Sequence, residues 1–252
     1  MADVTTTLPR VLEQLTRDPG RPRVTWYTDT ERVELSGTVL VNWVTKTTNL
    51  LVEELDAGPG ARVLLDLPAA WRALTWAPAV WRSGACVVLP DGTGPVDGGG
   101  VDVVVTDRPE AHTTGAPLVA VASPALARSW PGPLPAGALD AAAAVMTYGD
   151  TLGWLPATDA TAPALVTPTG STTHAALVEH ARTVAGTGSA GARVLLDVGS
   201  TADRGAALAA TLTTALAAWS GDGSLVLVGP GLDAQARDRL RRTERVDADA
   251  TA

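Results

Sequence analysis

The amino-acid sequence predicts an α/β protein with two similar lobes, in which mainly parallel sheets and helices form alternating layers (αβαβα-like). Short β-branched segments alternate with longer helical ones, as in strands that are joined by crossover helices. The sequence Gly-Ala-Arg-Val-Leu-Leu-Asp-Leu at residues 60–67 also returns as Gly-Ala-Arg-Val-Leu-Leu-Asp-Val at residues 191–198. The chain has 252 residues, 46% of them hydrophobic, so it can bury a core without disulfides or metal ions.

In the first lobe a helix is predicted over residues 36–55, with Ser36 as its N-cap and apolar residues at helical spacing. The Gly-Pro-Gly sequence at residues 58–60 ends it. A second helix is predicted over residues 69–82, which Pro78 should kink or restart. Apolar runs predict the strands of this lobe at residues 62–67, 86–89, 101–105 and 117–121.

The second lobe is predicted to repeat the order helix, strand, helix, strand. Its helices are expected at residues 174–185 and 203–219, and its closing strand at residues 225–228. Residues 232–246 predict a final amphipathic helix rich in arginine, which either covers the lobe or docks a partner.

Two irregular segments complete the predicted organisation. Residues 123–162 are expected to form a connector with a short helix near residues 140–146, and the glycine-rich residues 92–100 a mobile loop. Residues 1–150 then form the first lobe with an N-terminal helix and the connector, and residues 151–252 form the second lobe as its pseudo-repeat.

Charge and cysteine content exclude several classes of function. The net charge is −8 and the sequence pI is near 4.8, which argues against nucleic acid or an anionic membrane as a partner. Cys86 is the only cysteine and is expected to be a buried strand thiol. The first residues lack the basic and apolar pattern of a secretory signal, and the apolar residues 206–219 are too few to span a bilayer. A cytoplasmic location is therefore expected.

The order of motifs over residues 31–90 is informative. A strand and a long helix precede Gly-Pro-Gly-Ala-Arg-Val and a short strand, and the next helix ends in Trp-Arg-Ser-Gly-Ala before Val-Val-Leu-Pro. This order resembles the N-terminal signature of the AMP-binding superfamily of acyl-CoA synthetases, luciferases and amino-acid adenylation domains. It is most similar to short acyl-CoA-synthetase-like proteins of high-GC bacteria. The resemblance implies two layered lobes, and it places Ala252 before the expected adenine-binding motif, ribose-binding aspartate and C-terminal domain.

The same resemblance implies a phosphate-binding loop. In the superfamily a Ser/Thr/Gly-rich loop ending in Pro-Lys-Gly follows a strand and wraps the phosphates of ATP, because backbone N–H groups in such loops attract anions. The corresponding stretch here holds one glycine and no lysine, so a degenerate remnant is predicted. The alternative is that Thr172 or Thr173 simply caps the helix expected at His174. The remnant consists of Thr167, Thr169, Gly170, Ser171, Thr172 and Thr173.

No catalytic residue and no metal site are predicted. Lys46 is the only lysine of the chain and lies in the first-lobe helix, so it is not expected to supply a catalytic ammonium group. His174 and His180 are six residues apart and would lie on different faces of a helix. The sequence Tyr-Gly-Asp-Thr at residues 148–151 resembles the adenine motif only weakly and precedes the phosphate loop, which is the wrong order.

Two functions follow as hypotheses. The first is a truncated, non-catalytic relative of AMP-dependent acyl-CoA synthetases and adenylating ligases that acts as a binding or scaffold protein, with a protein partner or as a homodimer. The second is an adenylate-, acyl- or CoA-binding protein, or a residual AMP-forming ligase that works with a partner chain. ATP, AMP or CoA would then be the ligand, bound between the lobes.

Overall fold

The structure is a computed structural model that describes residues 6–91, 100–186 and 189–251. Within these residues seven α-helices form: α1 (Leu8–Leu15), α2 (Gly37–Leu55), α3 (Ala73–Arg82), α4 (Ala141–Ala144), α5 (Leu177–Ala185), α6 (Arg204–Ser220) and α7 (Ala234–Thr243). Two 3₁₀ helices cover Pro109–Ala111 and Val145–Thr147. The predicted glycine-rich loop lies outside the described residues, apart from Gly100.

Twelve strands form in the same residues. They are β1 (Pro22–Tyr27), β2 (Arg32–Ser36), β3 (Arg62–Asp66), β4 (Cys86–Val88), β5 (Val103–Thr106), β6 (Leu118–Ala120), β7 (Leu139–Asp140), β8 (Pro163–Thr167), β9 (Gly170–Thr173), β10 (Arg193–Asp197), β11 (Ser224–Val228) and β12 (Ala248–Ala250). Most strands pair in parallel, which confirms the predicted α/β class.

The chain divides into two units that interleave along the sequence. The first unit comprises Met1–Val41, Ala69–Leu74 and Ala175–Ala252, and the second comprises Asn42–Pro68 and Thr75–His174. The sequence predicts two consecutive lobes that meet between residues 150 and 151. The units interleave because β1 and β2 join the sheet of the C-terminal strands, whereas β8 and β9 join the sheet of β3 to β7.

The first unit contains a five-stranded sheet in the order β12-β10-β11-β1-β2. All its pairs are parallel except β1 with β2, which form an antiparallel hairpin. Helix α6 packs against β10 and β11, and its Trp219 is 1% exposed and donates its indole N–H to the carbonyl oxygen of Arg23 at 3.1 Å. Apolar side chains of α6 and β11 therefore form the core of this unit.

The second unit contains a seven-stranded sheet in the order β7-β6-β5-β3-β4-β8-β9, antiparallel only between β8 and β9. The central strands β3 and β5 are buried, as expected for a parallel sheet that is covered on both faces. Cys86 on β4 is 5% exposed, and burial raises the pKa of its thiol. The lone cysteine is thus a buried strand residue, as predicted.

The repeated sequence gives repeated structure. Strands β3 and β4 flank α3 in the same way as β10 and β11 flank α6, and both strand pairs are parallel neighbours. The register also agrees, because Arg62 lies opposite Cys86 and the equivalent Arg193 lies opposite Ser224. The predicted order of strand, helix and strand is therefore confirmed in both copies.

Several predicted boundaries need correction. Helix α3 begins at Ala73, four residues after the predicted start, because Ala70 and Trp71 accept turn hydrogen bonds from Ala73 and Leu74. Helix α5 begins at Leu177 instead of residue 174. Helix α2 matches its prediction, and the hydroxyl of Ser36 accepts a hydrogen bond from the N–H of Val39 at 3.4 Å.

Candidate functional site

The predicted phosphate-loop residues lie on a tight β-hairpin. Strands β8 and β9 pair with Thr167 opposite Gly170, so that only Pro168 and Thr169 form the turn between them. Proline favours the first corner of such a turn because its ring fixes φ. The Thr167 hydroxyl closes the turn: it accepts from the N–H of Thr169 at 3.3 Å and lies 3.1 Å from the Thr169 hydroxyl.

This geometry leaves little for a phosphate group to bind. An anion-binding loop needs successive backbone N–H groups that point to one place. Pro168 has no N–H, and the N–H of Thr169 is bonded to Thr167. Thr169, Gly170 and Ser171 are exposed, while Thr167, Thr172 and Thr173 are half-buried. The six residues are thus together on one hairpin, and their binding of a nucleotide stays a prediction.

The alternative role in helix capping is wrong. Helix α5 begins at Leu177 with Ala176 as its N-cap, so Thr172 and Thr173 belong to β9 and precede the helix by several residues. His174 follows β9 directly, and its backbone N–H donates to the carbonyl oxygen of Ala162 at 3.1 Å. Burial lowers the pKa of the His174 imidazole below its ordinary value.

Lys46 is bound within the second unit. Its Nζ lies 3.0 Å from Oδ1 of Asp150 and donates to the carbonyl oxygen of Tyr148 at 2.5 Å. One turn further along α2, Asn49 donates to the carbonyl oxygen of Thr151 at 3.0 Å and accepts from the N–H of Gly153 at 2.9 Å. Residues 148–151, which weakly resemble an adenine motif, are therefore held against α2 by these hydrogen bonds.

A buried carboxylate that no sequence motif had indicated ends strand β3. Asp66 is 0% exposed. It accepts hydrogen bonds from Arg108 (Nε 2.9 Å, Nη2 3.1 Å) and from the hydroxyl of Thr106 (3.0 Å), and it lies 2.8 Å from Nε2 of His112. The Asp66 carboxylate raises the pKa of Arg108. We call these four residues the Asp66 cluster.

The Asp66 cluster lies where the strand order of the seven-stranded sheet changes direction. Strands β3 and β5 are neighbours, but β3 continues to β4 on one side and β5 continues to β6 on the other. In doubly wound sheets, ligands bind at this switch in direction, outside the carboxyl ends of the strands. Here the protein's own Arg108 and His112, which follow β5, contact Asp66 at the end of β3, so the cluster fixes the β5–β6 connection.

The first unit carries an equivalent carboxylate at the end of β10. Asp197 occupies the position of Asp66 in the repeated sequence, lies 2.7 Å from Nε of Arg237 and accepts from the N–H of Gly199 at 2.9 Å. Its side chain is 29% exposed, whereas Asp66 is fully buried. The repeat therefore preserves a pair of carboxylate and guanidinium at both strand ends, and a repeated aspartate in an otherwise apolar run was its signal in the sequence.

A second charged cluster lies across the five-stranded sheet. The side chain of Glu244 is 8% exposed and contacts Tyr27, Arg32 and Arg193. Arg193 also donates to the hydroxyls of Thr25 at 2.9 Å and Ser224 at 3.1 Å. Burial alone would raise the pKa of Glu244, but hydrogen bonds from Tyr27 and Arg193 and the positive charge of Arg193 hold it below its ordinary value.

In the part of the chain that the structure describes, no three His, Cys, Asp or Glu side chains are close enough to hold a metal ion together. In the same residues, no helix combines the length and hydrophobicity that a membrane crossing requires.

Comparison with known proteins gives one sequence relative. No protein-family model matches the chain. A "TIGR03089 family protein" from Mycobacterium tuberculosis (strain ATCC 25618 / H37Rv) is 38% identical over 161 residues, which is 60% of this chain and 63% of that protein.

Solved structures define the fold. A Brucella canis acyl-CoA synthetase matches 99% of this chain with a TM-score of 0.73 and 18% identity, over 48% of its own length. The NpsA N-terminal subdomain from Klebsiella oxytoca, in complex with 3-hydroxybenzoyl-AMSN, matches 99% with a TM-score of 0.68 and 17% identity, over 61% of its length. A Mycobacterium tuberculosis fatty acyl CoA synthetase matches 96% with a TM-score of 0.69 and 15% identity, over 48% of its length.

These comparisons confirm the predicted resemblance at the level of fold. The chain has the α/β fold of the N-terminal region of acyl-CoA synthetases and adenylation domains. It spans less than two thirds of the length of each of these relatives.

Proposed function

We propose that this chain is a non-catalytic relative of AMP-forming acyl-CoA synthetases and adenylation domains, and that it acts as a binding or scaffold protein. The observation that carries this proposal is the two-residue turn between β8 and β9. A loop that wraps a triphosphate must be long enough to surround it, and this turn contains only Pro168 and Thr169.

The positive charges that adenylation requires also support a non-catalytic role. Transfer of the adenylyl group develops negative charge as pyrophosphate leaves, and lysine ammonium groups and Mg²⁺ stabilise that charge in such reactions. The single lysine, Lys46, is held by Asp150 and the carbonyl oxygen of Tyr148. Arginine is a poor replacement because its charge is planar and delocalised.

The first test is a set of thermal unfolding measurements with ATP and Mg²⁺, AMP, and CoA. A ligand at 100 times its Kd would stabilise the protein by roughly 2.7 kcal/mol, which is readily measured. We expect no change in Tm with any of the three. We also expect no release of pyrophosphate across a panel of carboxylic acids.

The control for this test is Thr169→Ala, which alters the hairpin turn and leaves the core intact. Release of pyrophosphate that depends on a carboxylic acid and is lost in Thr169→Ala would contradict a non-catalytic role. The Asn49→Ala variant removes hydrogen bonds to Thr151 and Gly153 and leaves the hairpin unchanged, so it separates an effect of the hairpin from an effect on stability.

A second function is favoured by one comparison. The NpsA N-terminal subdomain was solved in complex with 3-hydroxybenzoyl-AMSN, and 61% of that subdomain is covered by this chain. The second candidate is therefore a protein that binds an adenylate, an acyl group or CoA, or a residual ligase that works with a partner chain. Titration calorimetry with 3-hydroxybenzoyl-AMSN decides it: saturable binding would favour this candidate over a scaffold that binds only protein.

A further inference from the structure

The four edges of the two sheets differ in how they are protected. Exposed strand edges invite pairing with other chains, and proteins normally guard them with charged residues, with proline or by making the strand very short. Edge strand β2 carries the exposed Arg32 and Glu34, β12 carries the exposed Asp249, and β7 has only two residues. Strand β9, Gly-Ser-Thr-Thr, is uncharged and lacks proline, and the irregularity in its pairing with β8 lies between Pro163 and Leu165, away from Ser171.

The register shows which backbone groups of β9 face outward. Val166 on β8 lies opposite Ser171, and the carbonyl oxygen of Val166 accepts from the N–H of Leu89 at 2.9 Å, on the β4 side. In an antiparallel pair, two opposite residues either exchange both backbone N–H···O bonds with each other, or both point their N–H and C=O groups away from each other. Because the Val166 carbonyl points to β4, the N–H and the carbonyl of Ser171 point away from β8, to the side where the described residues place no further strand. Ser171 is also exposed.

We infer that β9 pairs with β9 of a second copy of this chain, antiparallel and about a two-fold axis at Ser171. In this arrangement the two Ser171 residues exchange both N–H···O bonds, and Gly170 lies opposite Thr172. The pairing brings hydroxyl groups together, which is a favourable cross-strand combination, and places no like charges opposite each other. This inference rests on the proposed function, since a hairpin that wrapped ATP phosphates would not be available for pairing.

The pairing has a distinctive salt dependence. Each copy contributes a strand of only four residues, so the pairing buries far less surface area than a standard protein–protein interface. The dimer is therefore weak. Each copy has a net charge of −8, and two such copies repel each other at low ionic strength. Dimerisation should therefore strengthen as the ionic strength rises from about 0.01 M to about 0.15 M, where the Debye length falls to about 8 Å.

Sedimentation velocity of the full chain from about 10 µM to about 1 mM tests the inference. We expect a dimer that forms with increasing concentration. Ser171→Pro removes the outward N–H without removing a bond to β8, and edge strands accept proline at such positions. It should weaken dimerisation by at least about tenfold. Ser171→Lys should do the same through charge, while Gln235→Lys, which places the same charge on exposed α7, should leave the dimer unchanged.

Two results would overturn the inference: a monomeric wild-type chain over the whole concentration range, or dimers of Ser171→Pro and Ser171→Lys as strong as wild type. The Tm of each variant shows whether it is folded, and if the proline variant unfolds, the lysine variant decides. The thermal measurement with ATP and Mg²⁺ is repeated on the same samples. Stabilisation by nucleotide would contradict the proposed scaffold role and favour the second candidate, whereas a monomer whose Tm does not change with nucleotide refutes only the pairing.

Discussion

Asp66 shows how one residue can stabilise the connection between two strands. Its carboxylate is fully buried and is surrounded by donors from Thr106, Arg108 and His112. A buried carboxylate is costly unless it is paired and hydrogen-bonded, and here both conditions are met. The repeated Asp197 is also paired and hydrogen-bonded, but its side chain is 29% exposed, so its burial costs less and its ion pair contributes less.

This difference predicts unequal effects of the same substitution. Asp66→Asn should lower the free energy of unfolding by about 2 kcal/mol, because a fully buried site loses the charged acceptor of the hydrogen bonds from Arg108 and Thr106. Asp197→Asn should cost about 1 kcal/mol or less, as expected for a partly exposed pair. Urea unfolding of both variants checks this, and equal losses would show that burial does not set the strength of the two pairs.

Glu244 predicts a dependence of stability on pH. Because the pKa of its folded-state carboxyl is below the ordinary value of about 4.3, the ionised group contributes stability above that pH. This contribution is lost as the pH falls through the folded-state pKa. Glu244→Gln should therefore lower the stability at neutral pH. It should also make the stability decrease less steeply as the pH falls into the acid range. Thermal unfolding between about pH 7 and about pH 3 measures it, and the exposed Glu13→Gln should follow wild type.

The sequence could indicate the six hairpin residues but not the Asp66 cluster. The hairpin residues follow an apolar strand and precede a helix, and this order is local. The partners of Asp66 lie 40, 42 and 46 residues away along the chain, and nothing in the sequence links them. Their meeting depends on the pairing of β3 with β5, which only the sheet order reveals.

At the scale of elements, the first turn of α2 depends on a close approach to α1. A Cβ added to Gly37 would lie 1.9 Å from the carbonyl oxygen of Leu15, the last residue of α1. The N–H of Gly37 also donates to the carbonyl oxygen of Arg21 at 3.1 Å. The backbone oxygen of Leu15 cannot move aside as the end of a flexible side chain can. Position 37 therefore requires glycine.

Gly37→Ala should therefore destabilise the protein by about 3 kcal/mol or more, in the range of severe overpacking. Gly20 provides the matched control, since nothing lies within 4 Å of its added Cβ. Gly20→Ala should leave stability unchanged or slightly raised. Denaturant unfolding of both variants tests the difference, and a harmless Gly37→Ala would mean that α1 is free to shift.

Elements with strong hydrophobic periodicity could be predicted, and elements without it could not. Helix α2 and strands β3, β4 and β11 were predicted within one residue of their observed ends, because apolar runs and faces leave few alternatives. Strand β9 was expected to be a loop, since Gly-Ser-Thr-Thr has no apolar alternation. It is a strand because β8 offers it a partner across a two-residue turn.

At the scale of the whole molecule, distant parts of the chain complete each sheet. Val24 of β1 pairs with Leu225 of β11, about 200 residues later. Sequence repeats reveal similar elements, but they do not reveal which strand lies next to which. For this reason the two consecutive lobes expected from the sequence differ from the interleaved units of the structure.

Interleaving predicts that residues 151–252 do not fold alone. This fragment would lack β1 and β2, and it would carry β8 and β9 without their sheet. We expect a far-UV spectrum with little regular structure and no cooperative unfolding. Addition of a peptide of residues 6–41, which supplies β1 and β2, should restore structure. Cooperative unfolding of the fragment by itself would instead support two consecutive lobes.

The buried Cys86 gives this protein a built-in reporter. Its thiol is the only one in the chain, sits on β4 beside β3, and has a pKa raised by burial. A thiol reagent such as an aromatic disulfide can therefore react only after the seven-stranded sheet opens locally. The modification rate, divided by that of a free thiol, reports the opening equilibrium of this sheet without any engineered label, and we expect it to fall well below unity under native conditions.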